Sequence, residues 1–264
     1  MNKYERMLSI QHKLRERLLG AGCVFHHVPK CGGTSLNRAM RLRYIISQAS
    51  IKANQTVYAL SGMDESFDVN GGREFLSIHR FRQQMLHYYL HSGVKLISGH
   101  VRFSAAAYDK FSPSHQFITL LRDPVDRFVS EYKDLSVRQA SVFKTNLSIE
   151  EFLSSDLALR NARTLTSYFS DSALLPEKYE NTEVIEAQEN LKKFNLIGFM
   201  NDMDGFNEKL NALLGVRIKI GHENKAEGRQ ADKLEGFTEE VREKIHEICA
   251  YDKKVYDFAR SIVH

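Results

Sequence analysis

Four short apolar runs constrain this chain's fold more than any other feature: CVFHHV (23–28), VKLISG (94–99), QFITLL (116–121) and NLIGFM (195–200). Each is nearly continuous rather than alternating, the pattern of a strand buried on both faces. Helical periodicity fills the intervals, over roughly 33–46, 79–92, 124–138, 181–194 and 202–214. A last helical stretch covers 238–263, with Thr238 placed to cap it and Glu239 and Glu240 in its first turn. Strands alternating with helices predict an α/β fold, a parallel sheet with helices on both faces. In such sheets the ligand sits beyond the C-terminal strand ends. The residues following 28, 99 and 121 are therefore where chemistry is expected.

At 264 residues and 42% apolar, the chain can bury a large core. We read 1–22 as an N-terminal helix and 23–264 as a single domain, since no repeat or proline-rich linker divides it. Leu8, Leu14, Leu18 and Leu19 share a helical face beside Lys13, Arg15 and Arg17, which suits a surface helix or, alternatively, a membrane-surface anchor. No apolar stretch there is long enough for a signal peptide or a membrane span, so the expected location is cytoplasmic. Cys23, Cys31 and Cys249 have no paired spacing, which argues against a disulfide framework or zinc site and fits a reducing compartment. A net charge of +4 suits an anionic ligand but is too small to indicate nucleic acid. Residues 47–78 are polar and weakly periodic, and are expected to be loop-rich, in the manner of a lid.

After the first run comes PKCGGTS, and then a helix. Backbone N–H groups at a helix N-terminus, with its dipole, bind anions. Gly32 and Gly33 allow close approach, Thr34 and Ser35 offer hydroxyls, and Lys30 offers a full charge. In nucleoside-triphosphatase loops the lysine directly precedes Ser/Thr. Here it precedes the glycines, and this disfavours a magnesium-dependent nucleoside triphosphatase or kinase. The third run delivers Arg122 to a strand end, Pro124 opens the next helix, and Ser130 lies two turns along it. Arg122 and Ser130 could together grip a phosphate. The competing reading is a structural ion pair of Arg127 with Asp123 or Glu131.

PKCGGTSL and LLRDPVDRFVSEY, in that order and about 90 residues apart, resemble the two nucleotide motifs of the sulfotransferase superfamily. The likeness is to its carbohydrate-type branch, which includes heparan sulfate 2-O-sulfotransferase and bacterial relatives. The resemblance extends more loosely over 23–260, and implies a P-loop-like sulfotransferase fold. It also implies a donor, 3′-phosphoadenosine 5′-phosphosulfate (PAPS), and a carbohydrate or other hydroxyl acceptor. On this likeness Lys30 would bind the bridging oxygen, and Gly32, Gly33, Thr34 and Ser35 the 5′-phosphate. Arg122 and Ser130 would bind the 3′-phosphate, and Asn224 and Lys225 in HENKAEG would close over the nucleotide. No metal is implied.

A base must face the sulfur from the acceptor side. GHVRF (99–103) matches the stretch that carries the branch's catalytic histidine, and this points to His100. The nearest relatives have a second histidine two residues earlier, where this chain has Ser98. His79, His87 and His91 share one predicted helix and read as surface residues. One of His26 and His27 is expected to face the core, and Cys31 to fill an interior gap. Arg38, Arg41, Arg43, Arg73, Arg80, Arg82 and Arg102 fall in the acceptor-facing half, where they could bind an acidic sugar or remain solvated. The alternatives are a small-molecule kinase using ATP–Mg and a non-catalytic nucleotide-binding protein.

Overall fold

The computed structural model describes residues 20–137, 144–215, 217, 218, 220 and 234–263. β1 (Gly22–His26) leads through the glycine loop into α1 (Gly33–Arg43). Then come β2 (Gln48–Ile51), α2 (Ala53–Ser61), α3 (Gly72–His91), β3 (Leu96–Gly99) and α4 (Ala105–Phe111). β4 (His115–Leu121) runs into α5 (Pro124–Val137). The short helices α6 (Ile149–Leu153), α7 (Asp156–Ala162) and α8 (Thr164–Phe169) follow. α9 (Asn181–Leu191), β5 (Leu196–Phe199), α10 (Met203–Leu214), α11 (Glu239–Ile248) and α12 (Ala250–Ile262) complete the described elements.

The five strands form one parallel sheet in the order β2-β3-β1-β4-β5. Period-two alternation splits its side chains between two cores. Val24, Ile97, Phe117 and Ile197 pack with Leu86 and Leu90 of α3, Leu165 and Phe169 of α8, Ala187 of α9 and Val255 of α12. On the other face Cys23, Phe25, Leu96 and Ile118 pack with Leu36 and Met40 of α1 and Phe206 and Leu210 of α10. Each such large side chain, fully buried, contributes about 1.5–3 kcal/mol. A third cluster, built on Phe128, Phe152 and Ile245, joins α5, α6 and α11 away from the sheet.

β1 lies at the centre, and the chain steps from it toward β2 on one edge, then returns across it from β3 to β4. His26 sits in register with Gly99 on one side and Thr119 on the other. The residues leaving β1, β3 and β4 therefore emerge together at the switch point, the ligand position of open α/β sheets.

Several expectations are corrected. Residues 47–78 are not loop-rich: β2 and α2 occupy 48–61, and α3 begins at Gly72. The 238–263 stretch is two helices, broken at Cys249, although Thr238 does cap the first by accepting from the Val241 N–H. The first helix ends at Arg43 rather than 46. Of the N-terminal helix expected over 1–22, residues 1–19 lie outside the described residues, as does HENKAEG with Asn224 and Lys225. No helix among the described residues is long and apolar enough to cross a membrane.

Candidate active site

The switch point opens into a cavity of about 480 Å³. Lys30, Gly32, Gly33, Thr34, His100, Arg122 and Ser130 all border it; Ser35, one residue further along α1, does not.

The floor is the turn from β1 into α1. Lys30 and Gly32 adopt left-handed backbone conformations, with φ of 63° and 72°. No side chain caps α1, and no acidic residue lies in its first turn. The first N–H groups of the helix therefore have no side-chain acceptor, which leaves them to an incoming anion. Lys30 Nζ is 2.6 Å from Asp134 Oδ2 of α5. Arg122 donates from Nη1 to the Lys30 carbonyl at 3.3 Å and pairs with Asp126 at 3.6 Å. These contacts tie the loop after β1 to the end of β4, through Arg122, and to the last turns of α5, through Asp134.

Arg127 is not in the ion pair the sequence suggested. Its Nη2 donates to the backbone carbonyl and side-chain oxygen of Asn161, while its buried Nε has no partner. Asp123 instead accepts from the Val125 N–H, opening α5. Lys30, the uncapped start of α1, Arg122 and the Nε of Arg127, which has no partner among the described residues, bring positive charge and hydrogen-bond donors to one side of the cavity.

The acceptor side is walled by α2, α3, α7 and α8, with Asn54, Phe75, Ile78, His79, Arg82, Leu157, Arg160, Thr164, Ser167 and Tyr168 on the surface. His100 lies between this wall and the loop. Its Nδ1 is 2.9 Å from the His27 carbonyl. A carbonyl only accepts, so Nδ1 carries the hydrogen and the neutral ring keeps its lone pair on Nε2. Arg82 Nη1 donates to the His100 carbonyl at 3.3 Å, and its other nitrogens are held by Thr56 Oγ1 and the Ala53 carbonyl. Ser98 faces the other side of the sheet and donates to Asn37 Oδ1 at 2.6 Å, so it does not stand in for a second histidine.

Sequence reading overlooked part of this wall. His79 is buried, not a surface residue, and sits edge-on to Phe75 and Tyr168. Burial, reinforced by Arg102, Arg82 and His100, holds its pKa well below the ordinary histidine value. The signal was available: Ile78, His79, Arg82, Leu86 and Leu90 follow helical spacing on the inward side of α3. His87 and His91 contact Ser104 and Phe111 away from the cavity. Of the seven arginines placed in the acceptor half, only Arg82 borders the cavity. Arg38 and Arg41 line a separate groove on α1, Arg102 is buried over the Phe75 ring, and Arg73 and Arg80 are exposed. His26 is the core histidine of its pair, and Cys31 is buried with its thiol pushed up to about 12, no nucleophile.

A parallel sheet flanked by helices, with a cavity at its switch point floored by a glycine turn and an uncapped helix, is consistent with the sulfotransferase fold. The chain belongs to the sulfotransferase family, whose family model matches residues 21–259. No curated protein matches it.

Proposed function

We propose that this protein transfers a sulfuryl group from PAPS to a hydroxyl of a carbohydrate or glycoconjugate. The observation that carries the reading is the convergence of the Lys30 loop, the Arg122–Ser130 pair and His100 on one cavity. When bound, the donor supplies an activated sulfuryl group; transfer forms a bond from sulfur to the acceptor oxygen, breaks the bridging S–O bond and leaves adenosine 3′,5′-bisphosphate.

In this reading Lys30 leaves Asp134 and places its ammonium at the bridging oxygen, where negative charge develops. The N–H groups at the start of α1, with the Thr34 hydroxyl, hold the 5′-phosphate, and Arg122 and Ser130 hold the 3′-phosphate; the Ser35 side chain, off the cavity, takes no part. Asn224 and Lys225, which the family resemblance assigns to the nucleotide, lie outside the described residues. Nε2 of His100 takes the acceptor's hydroxyl proton, a contribution of about 10²–10⁴-fold. A cytoplasmic site of action is supported by three thiols that are all free and buried.

Calorimetry tests the donor. Micromolar binding of adenosine 3′,5′-bisphosphate without magnesium is expected, and a preference for ATP–Mg would overturn the reading. Arg122→Ala should weaken the bisphosphate far more than the 5′-monophosphate. A screen of hydroxyl acceptors with labelled PAPS then identifies the acceptor.

A further inference from the structure

The end of β1 carries a ring ladder that the nucleotide and base assignments do not use. Phe25, His27 and His100 stack in succession, with centroids 5.4 and 4.7 Å apart and interplanar angles of 11° and 27°. Phe25 is anchored in the core between the sheet and α1. The His27 ring also lies against the loop backbone: a Cβ built on Gly33 would fall 2.6 Å from His27 Nε2 and closer still to Cδ2. One imidazole thus touches the first residue of the anion-binding helix and the face of the candidate base.

We propose that His27 is the positioning residue of this site, holding His100 in the Nδ1–H form and coupling its orientation to occupancy of the glycine loop. The inference rests on the sulfuryl-transfer reading above. Two contacts fix His100 relative to His27: the stacked ring, and the carbonyl that accepts from Nδ1. The carbonyl sets which nitrogen carries hydrogen, and the ring holds the imidazole plane where that bond can form. A nucleotide drawn onto the Gly33 N–H moves the backbone against which His27 rests, and His27 passes the displacement to the base. Burial lowers the His27 pKa to about 4, so the residue stays neutral and adds no charge beside His100. Two titratable groups of α3 also face His100: Arg82, which donates to its carbonyl, and His79, which burial keeps neutral.

The test is nitrogen-15 NMR of the His100 ring in the full chain, with and without adenosine 3′,5′-bisphosphate. Wild type, His27→Ala and His27→Phe are compared, and calorimetry of the same nucleotide runs alongside. In wild type, His100 should be largely Nδ1–H and its ring shifts should respond to the nucleotide. His27→Ala should lose at least half of that tautomer and most of the response, with bisphosphate affinity changed less than about threefold. His27→Phe, which keeps a stacked ring, should restore the tautomer. An unaltered His100 tautomer and response in His27→Ala would overturn the proposal. So would a loss of the tautomer in parallel with a tenfold loss of nucleotide affinity, the mark of general collapse. If wild type binds no bisphosphate at all, it is the sulfuryl-transfer reading that fails.

Discussion

Burial decides the charge state of the histidines at the end of β1. His26 is fully buried among Phe103, Phe117 and Phe194, and desolvation lowers its pKa to about 4 despite its bond to the Val101 carbonyl. His27 is lowered to a similar value, also by burial. Between the ordinary histidine pKa near 6.5 and these values, the unfolded chain takes up protons that the folded chain refuses. Stability is therefore lost as pH falls through this window, by about 1.4 kcal/mol per pH unit per group. The urea midpoint should drop between pH 7 and pH 5, and His26→Phe, which suits the ring cluster, should drop measurably less. Lys30 gives a second prediction at this scale. On the proposed function, its partly exposed pair with Asp134 opens for Lys30 to reach the donor. Such pairs contribute about 0.2–1 kcal/mol, so Asp134→Asn should tighten bisphosphate binding roughly two- to fivefold in calorimetry at low salt.

Among the elements, α8 depends on a residue far along the chain. The buried carboxylate of Asp252 in α12 accepts from the Leu165 N–H, the Thr166 N–H and the Thr166 hydroxyl. Asp252→Ala leaves buried donors unpaired and should cost about 3 kcal/mol, read as a lower midpoint in thermal or urea melts. A cap of this kind is illegible in sequence, because nothing local pairs residue 252 with 165. The continuous apolar runs of β1, β3, β4 and β5 were legible, because burial on both faces leaves them no polar positions. QASI, the edge strand β2, was not: three of its four residues are only half-buried, and it reads as loop. The loop, Arg122 and His100 could be placed because each directly follows a legible strand. In sequence His79 reads as a surface residue because a titratable side chain on the inward face of a helix looks solvated until its partners are known; Arg82 stands among the candidates, but nothing local separates it from the six arginines that do not border the cavity.

For the whole molecule, the strand order brings three chain exits to one edge, so a ligand of the proposed kind would bridge segments about 90 residues apart. A nucleotide that binds only this assembled edge stabilises the fold by about 2.7 kcal/mol at a hundredfold excess over its Kd. Adenosine 3′,5′-bisphosphate should raise the melting temperature by several degrees, and EDTA should leave that rise intact. A rise that required magnesium would count against the proposed metal-free binding of the donor.

The hydrogen bonds from α8 to Asp252 also set an order of events during synthesis. Thr164, Ser167 and Tyr168 line the cavity, yet the helix that carries them takes its N-terminal cap from a residue translated more than eighty positions later. A nascent chain paused before residue 252 can form β1 through β5 while its acceptor wall still lacks that tie. The pocket's wall is thus tied in place only once α12 has been made, so a chain cut before residue 252 would keep much of the sheet without a finished site.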